Sequence, residues 1–231
     1  MFIKKKNYFK IQEFEKNNVT AFFTTKSFLK ENKLKELLPK DKILVSAYQK
    51  HTDIVKDISI LEENNYFEGV DGFITKRDNV VLVTKHADCL PIFFYDKKEK
   101  VIGMVHSGWK GSFQEIGLKT LKLMEEKYNS LKKNIIIGLG IGISCKQYEV
   151  GEEFYENFKN KFSGEIIKKS FKDYNGKKHF DNYEFNKLNF IKNGILKENI
   201  IVSNECTFTG DFFSFRRDKN KERNYAVIYF N

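Results

Sequence analysis

Hydrophobic and polar positions alternate along this chain in short blocks separated by polar turns. Runs rich in β-branched and aromatic residues at Val19–Thr25, Ile43–Tyr48, Val80–Thr84, Ile92–Tyr95, Val101–Val105, Ile135–Leu139, Ile200–Ser203 and Tyr225–Phe230 predict strands. The polar stretch Asp96–Lys100 between two of them predicts a hairpin loop. Helical spacing of apolar residues appears at Phe113–Tyr128, Glu152–Phe162 and Phe185–Asn193, the last ended by Gly194. Ser112, followed three residues later by Glu115, reads as a capping box at the start of the first of these helices. Lys161–Lys178 is polar enough to read as a loop or mobile excursion. The expected class is α/β (mixed α+β), with mixed sheets flanked by helices. No repeat, low-complexity tract or Pro/Gly/Ser-rich linker divides the chain, so one domain over 1–231 is expected.

Composition narrows the setting. At 231 residues and 41% hydrophobic content the chain can bury one sizeable core. It contains no window of 18 uncharged apolar residues, and its basic first residues lead into no apolar stretch, so neither a membrane span nor a signal peptide is expected. The three cysteines, Cys89, Cys145 and Cys206, are odd in number and far apart, which points to a reducing compartment and a cytoplasmic protein. The net charge of +10 is spread along the chain among 31 acids, with no RNA-binding motif, so a lysine-rich solvated surface explains it as well as a nucleic-acid partner would. Only four of the 41 basic residues are Arg, yet Arg216, Arg217 and Arg223 fall within eight residues, where a bidentate guanidinium is needed and lysine would not serve. The scarce types His86, Cys89, Pro91, His106 and Trp109 crowd into a second short segment.

His51, Cys89 and His106 each lie at the end of an apolar run. If those strands share a sheet and a direction, their ends bring the three side chains together. Two imidazoles and one thiolate suit zinc, and three protein ligands leave a fourth position open, the pattern of a catalytic site. The spacing matches no short metal motif, so a small buried cysteine and two hydrogen-bonded strand-end histidines fit it too. His86 and His179 read as surface residues or supports for ligands, and Cys145 and Cys206 as core thiols. Ser107-Gly108-Trp109-Lys110-Gly111 before the capping box can gather backbone N–H groups, a helix dipole and a lysine on an anion such as phosphate. A turn without ligand has the same spacing.

Six segments, in order, resemble the YfiH family of bacterial laccase-domain proteins: Gln49-Lys50-His51, Asp71-Gly72, Ala87-Asp88-Cys89-Leu90-Pro91, His106-Ser107-Gly108-Trp109-Lys110-Gly111, Tyr148-Glu149-Val150-Gly151 and Phe213-Ser214-Phe215-Arg216-Arg217-Asp218. The resemblance runs from about Thr20 to the C-terminus. It implies an α/β domain, a zinc site of His51, Cys89 and His106, and activity similar to that of purine nucleoside phosphorylases on adenosine, inosine, guanosine and methylthioadenosine, with adenosine deamination as a further activity. An older family label implies a copper polyphenol oxidase. Four histidines cannot build the separate histidine-rich cluster of a multicopper oxidase, although copper can bind such ligands adventitiously. The chain departs from the family pattern in lacking the Gly-Gly-rich segment after the first strand, in Lys26 and Lys110 standing where arginine is common, and in His86 replacing a common threonine.

The expected reaction is phosphorolysis, with nucleoside and phosphate as small-molecule partners, no membrane and no nucleic acid; the oligomeric state stays open, a monomer included. Phosphate is expected at Lys110, Ser112 and one of Arg216 and Arg217, which alternate sides if they lie in a strand. Asp88 is a candidate proton carrier or orienter of Cys89, with a structural turn carboxylate as the alternative. Trp109 either stacks on a base or packs. A cysteine hydrolase with Cys89 as nucleophile and His106 as base is the rival enzyme class.

Overall fold

The protein is described here by a computed structural model over residues 1–31, 34–61 and 63–231. The chain runs through β1 (Phe2–Lys4), β2 (Tyr8–Ile11), α1 (Gln12–Glu15), β3 (Val19–Thr24), α2 (Lys26–Glu31), β4 (Ile43–Tyr48), β5 (Val55–Asp57), β6 (Tyr66–Glu68), β7 (Gly72–Thr75), β8 (Val80–His86), β9 (Leu90–Asp96) and β10 (Val101–Ser107). It continues through α3 (Trp109–Phe113), α4 (Ile116–Tyr128), β11 (Ile135–Leu139), α5 (Glu152–Lys161), α6 (Gly164–Ser170), β12 (Phe171–Tyr174), β13 (Lys177–Phe180), α7 (Asn182–Lys192), β14 (Ile200–Val202), α8 (Phe215–Asp218) and β15 (Asn224–Phe230). One sheet has the order β1-β2-β3-β15-β8-β4-β6, a second β14-β11-β9-β10-β7-β5, and β12 and β13 form a hairpin. Both large sheets are mixed: β4 runs parallel to β6 and β8, β5 to β7 and β11 to β14, while the remaining neighbours are antiparallel.

Strand periodicity explains the layering, because successive side chains point to opposite faces. Ala21, Phe23, Val80 and Leu82 of the first sheet share one buried cluster with Phe93, Tyr95, Ile102 and Met104 of the second. The alternate residues of the second sheet, Ile92, Phe94, Val101 and Val105, pack under Ile116, Leu121 and Met124 of α4 and Phe190 of α7. The alternate residues of the first, Phe22, Val81, Val83 and Val227, are covered by Tyr8, Leu34, Leu37 and Leu38. The mixed α and β class expected from the pattern is therefore the one observed.

Two expectations fail for identifiable reasons. Lys161–Lys178 contains α6, β12 and the start of β13, because Ile166, Ile167 and Phe171 bury against Phe158, Phe180 and Phe185 in an aromatic cluster that outweighs the segment's lysines. The capping box does not form either. The helix begins at Gly108 and breaks at Glu115, whose φ of 60° is left-handed, before α4 starts. Ser112 lies inside α3, where its hydroxyl is enclosed with Ser107, Asn182 and Asn186. A working cap appears elsewhere: the Asp181 side chain accepts the backbone N–H of Glu184 and starts α7 three residues before the expected Phe185.

Phe93 is fully buried between the sheets, so Phe93→Ala is expected to lower the unfolding free energy by ~3–5 kcal/mol. Urea unfolding measures it, and a loss below ~1 kcal/mol would contradict a shared two-sheet core.

Candidate metal centre and cleft

The parallel strands β4 and β8 end on the same side of the first sheet. Past β4 the chain turns through His51, held left-handed at φ 59°; past β8 it crosses to the second sheet through Asp88, at φ 88°, and Cys89, and enters β9 at Leu90. His106 stands near the end of β10, opposite Pro91 of β9. The three side chains therefore do not come from strands of one sheet, as the simplest reading supposes. They meet because the β8-to-β9 crossover carries Cys89 from one sheet to the other.

Their candidate ligand atoms lie within 4.8 Å of one another. Cys89 Sγ is 3.7 Å from His51 Nε2, and the His51 and His106 ring centroids are 4.7 Å apart. Ligands at ~2.3 Å for sulfur and ~2.0 Å for nitrogen around a tetrahedral ion stand about 3.3–3.5 Å apart, close to the 3.7 Å between Cys89 Sγ and His51 Nε2, so the spacing and donor set fit zinc. His106 is buried, Cys89 half-buried and His51 exposed, which leaves the open side toward solvent. Gly108 keeps that side clear: a Cβ there would lie 2.9 Å from Cys89 Sγ and 3.1 Å from His51 Cδ2.

One buried carboxylate organises the group. Asp71 accepts the backbone N–H groups of Lys50, His51 and Thr52 at 2.9–3.1 Å and the Thr52 hydroxyl at 2.9 Å. Its Oδ1 also lies 2.7 Å from His106 Nδ1, which leaves His106 Nε2 as the donor atom toward a metal. Burial opposes its charge, yet His106 and the Thr52 donors hold Asp71 below the ordinary aspartate range. His86 supports Cys89 from the other side, with Nδ1 3.0 Å from the Cys89 carbonyl and Nε2 2.7 Å from the Thr84 hydroxyl. A carbonyl can only accept, so Nδ1 carries the proton and Thr84 donates to Nε2. Burial and the neighbouring His106 keep this imidazole neutral, well below the ordinary histidine value.

In the metal-free protein burial works against ionising Cys89, but His106 and His51 pull its thiol down to about 6. Burial likewise disfavours charge on His106, and the Cys89 thiolate with Asp71 overcomes it and raises the imidazole to about 9. The two shifts favour a thiolate beside an imidazolium, and binding of a metal would release the proton the pair holds.

The other expected site residues are distributed differently. Lys110 is exposed, with its ammonium 5.6 Å from the Trp109 ring, and Trp109 packs 5.4 Å from Phe154 over a separate hollow of about 440 Å³ bounded by Phe113 and Phe158. Ser112, expected at a helix N-terminus, is enclosed inside α3. Arg216 and Arg217 lie in the turn of α8, not in a strand. Arg217 binds Asp218 through two nitrogens and donates to the carbonyls of Phe208 and Phe212, so its guanidinium is filled by protein partners. Arg216 donates to the Glu149 carbonyl and lies over the Tyr148 ring. Asp88 accepts from the Thr207 hydroxyl at 2.6 Å and from the Arg216 backbone N–H at 2.6 Å, which ties Cys89's neighbour to the C-terminal segment.

The metal group forms the floor of a cleft of about 790 Å³ whose walls include Tyr48, Lys85, Phe215, Lys221 and Arg223. Lys85 and Lys221 carry no sequence signal, being two lysines among many. Asp71 shows only an Asp-Gly pair before a strand, and a buried carboxylate looks like any other in sequence.

Fold and site define an α+β protein with an open three-ligand group at the foot of a cleft. The model of the multi-copper polyphenol oxidoreductase laccase family matches residues 29–231, and the chain belongs to that family. It is 39% identical over 223 residues to the purine nucleoside phosphorylase of Borreliella burgdorferi, covering 92% of this chain and 93% of that one. It is 33% identical over 168 residues to the purine nucleoside phosphorylase of Bacteroides thetaiotaomicron, covering 71% of this chain and 62% of that one. The crystal structure of Bacillus licheniformis YfiH matches at a TM-score of 0.88 and 25% identity over 100% of this chain and 99% of that one, so the YfiH resemblance read from the motifs holds. YlmD from Geobacillus stearothermophilus shares the fold at a TM-score of 0.86 and 20% identity, over 100% of this chain and 98% of that one. Among the described residues His51, Cys89 and His106 are the single group spaced to hold an ion, and a second, histidine-rich copper cluster is not among them. No helix among the described residues is long and apolar enough to cross a membrane.

Asp71→Asn is expected to weaken metal affinity by about 10–100-fold in a chelator competition, because His106 loses its carboxylate partner; unchanged affinity would contradict the organising role of Asp71. In chelator-treated protein, iodoacetamide alkylation of Cys89 is expected to rise with pH through a midpoint near 6. Cys145, which burial pushes up to about 11, should stay unreactive at neutral pH. Peptide mass spectrometry follows both thiols, and a Cys89 midpoint near 9, the unperturbed value, would show that it is not paired with His106.

Proposed function

We propose that the protein is a zinc-dependent purine nucleoside phosphorylase with an accompanying adenosine deaminase activity. The observation that carries this reading is the open His51–Cys89–His106 group on the floor of a cleft lined by four cations and, among the described residues, no carboxylate. Such a cleft favours an anionic co-substrate beside a neutral one. The names of the Borreliella and Bacteroides relatives support a nucleoside and phosphate as that pair.

In the reaction a phosphate oxygen bonds to the ribose C1′ as the C1′–N9 bond breaks, and the purine leaves with that electron pair and takes up a proton. The chain's residues act mainly by placing the reactants. The cationic walls hold phosphate against its own charge, and Tyr48 and Phe215, exposed at the cleft, offer ring faces to a flat base. Asp71 fixes the His51 backbone and the His106 ring, and His86 fixes Cys89, so the floor needs little rearrangement during turnover. A zinc ion held by His51, Cys89 and His106 would supply Lewis-acid polarisation at the open position.

A second reading has its own observation. Asp71, His106 and Cys89 line up as acid, base and thiol, with the thiol already lowered, which is the arrangement of a cysteine hydrolase. His51, a second imidazole 3.7 Å from the same sulfur, favours the metal reading.

Chromatography of adenosine incubated with zinc-loaded protein is expected to show adenine release that requires phosphate and disappears, together with bound zinc, in Cys89→Ala. Inosine formed without phosphate would report the deaminase activity. Activity that survives chelation and is abolished by stoichiometric alkylation would overturn the proposal in favour of the hydrolase.

A further inference from the structure

Lys110, Arg216 and Arg217 are engaged away from the cleft, and its lining carries other cations, Lys50, Lys85, Lys221 and Arg223. Lys50 is paired with Glu68 at 2.6 Å. Lys85, Lys221 and Arg223 have no carboxylate within ion-pair distance among the described residues, although many lysines elsewhere on the chain do. Lys85 is half-buried and held in place: its backbone N–H donates to Gln49 Oε1 at 2.8 Å, its carbonyl accepts from Gln49 Nε2 at 3.1 Å, and its ammonium lies 5.8 Å from the Tyr66 ring centroid. Arg223 is half-buried beside the Phe215 ring and anchors one guanidinium nitrogen on the carbonyls of Asn220 and Glu222, its other nitrogens having no hydrogen-bond partner among the described residues. Three like charges around one cleft repel one another, and the contacts of Lys85 and Arg223 keep those two there.

We infer that Lys85, Lys221 and Arg223 form a binding site for a phosphate dianion at the wall of the metal cleft, taken up as inorganic phosphate. The inference rests on the phosphorylase reading for the source of that dianion. A compact ammonium, a second one at the exposed rim and a planar guanidinium supply complementary donors to tetrahedral oxygens, and the dianion relieves the repulsion among them. These three residues lie outside the His106–Gly111 turn and the Arg216–Arg217 pair.

The test is equilibrium dialysis of radiolabelled inorganic phosphate against zinc-loaded protein, with phosphorolysis kinetics on the same samples. Lys85→Gln and Arg223→Gln are each expected to weaken phosphate binding and raise the phosphate KM by about tenfold, with the nucleoside KM and zinc content nearly unchanged. Arg223→Lys should recover part of the loss. Lys122→Gln, which removes an exposed charge of α4 paired with Glu126, should behave as the unaltered protein does. Phosphate binding lost in the two glutamine variants supports the site even if no purine is released, in which case the phosphorylase reading alone fails. Phosphorolysis with an unchanged phosphate KM in both variants overturns the site and leaves that reading standing. If inorganic phosphate does not bind while adenosine 5′-monophosphate binds and is lost in the same variants, the cations serve a phosphoryl group carried by the substrate, and the co-substrate assignment is overturned.

Discussion

The buried carboxylate of Asp71 is the constraint from which the rest of the site follows. A fully desolvated charge is costly unless every lone pair is used, and here five donors converge on it: three consecutive backbone N–H groups, one hydroxyl and one imidazole. Those donors belong to the turn after β4 and to the end of β10, so satisfying one carboxylate also ties the first sheet to the middle of the second. The left-handed backbone at His51 persists because Asp71 holds the N–H groups on both sides of it.

The second constraint is the crossover between the sheets. Cys89 lies on it, with His86 holding its carbonyl and Asp88 bound to Thr207 and to the Arg216 backbone, so the C-terminal segment braces the thiol from outside. This explains why the Arg216–Arg217 segment lies near the site while its guanidinium groups are occupied by Asp218 and main-chain carbonyls. The open face of the group is left to the cleft, whose cations come from the turn after β4, from β8 and from the turn before β15.

The apolar runs that form β8, β10 and β11 were legible because each is buried on both faces, by the opposite sheet on one and by helices or loops on the other. The candidate trio His51, Cys89 and His106 was legible in residue type, since histidine and cysteine are scarce in this chain and each stands at the end of an apolar run. Its assembly was not, because which strand ends meet depends on sheet order and on the crossover at Cys89. Ser112 misled for a related reason: a serine three residues before a glutamate caps a helix only if no other partner claims its hydroxyl, and Ser107, Asn182 and Asn186 lie far away in sequence or behind the turn. The aromatic cluster around Phe158 was hidden by the lysines that flank its members. Lys85 and Lys221 were indistinguishable from the lysine-rich background until the cleft placed them together.

The most direct test is X-ray absorption at the metal edge of the purified, metal-loaded protein. Coordination by His51, Cys89 and His106 predicts one sulfur at ~2.3 Å, two imidazole nitrogens near ~2.0 Å and one further light atom. A spectrum with no sulfur scatterer, or with more than one, would contradict it.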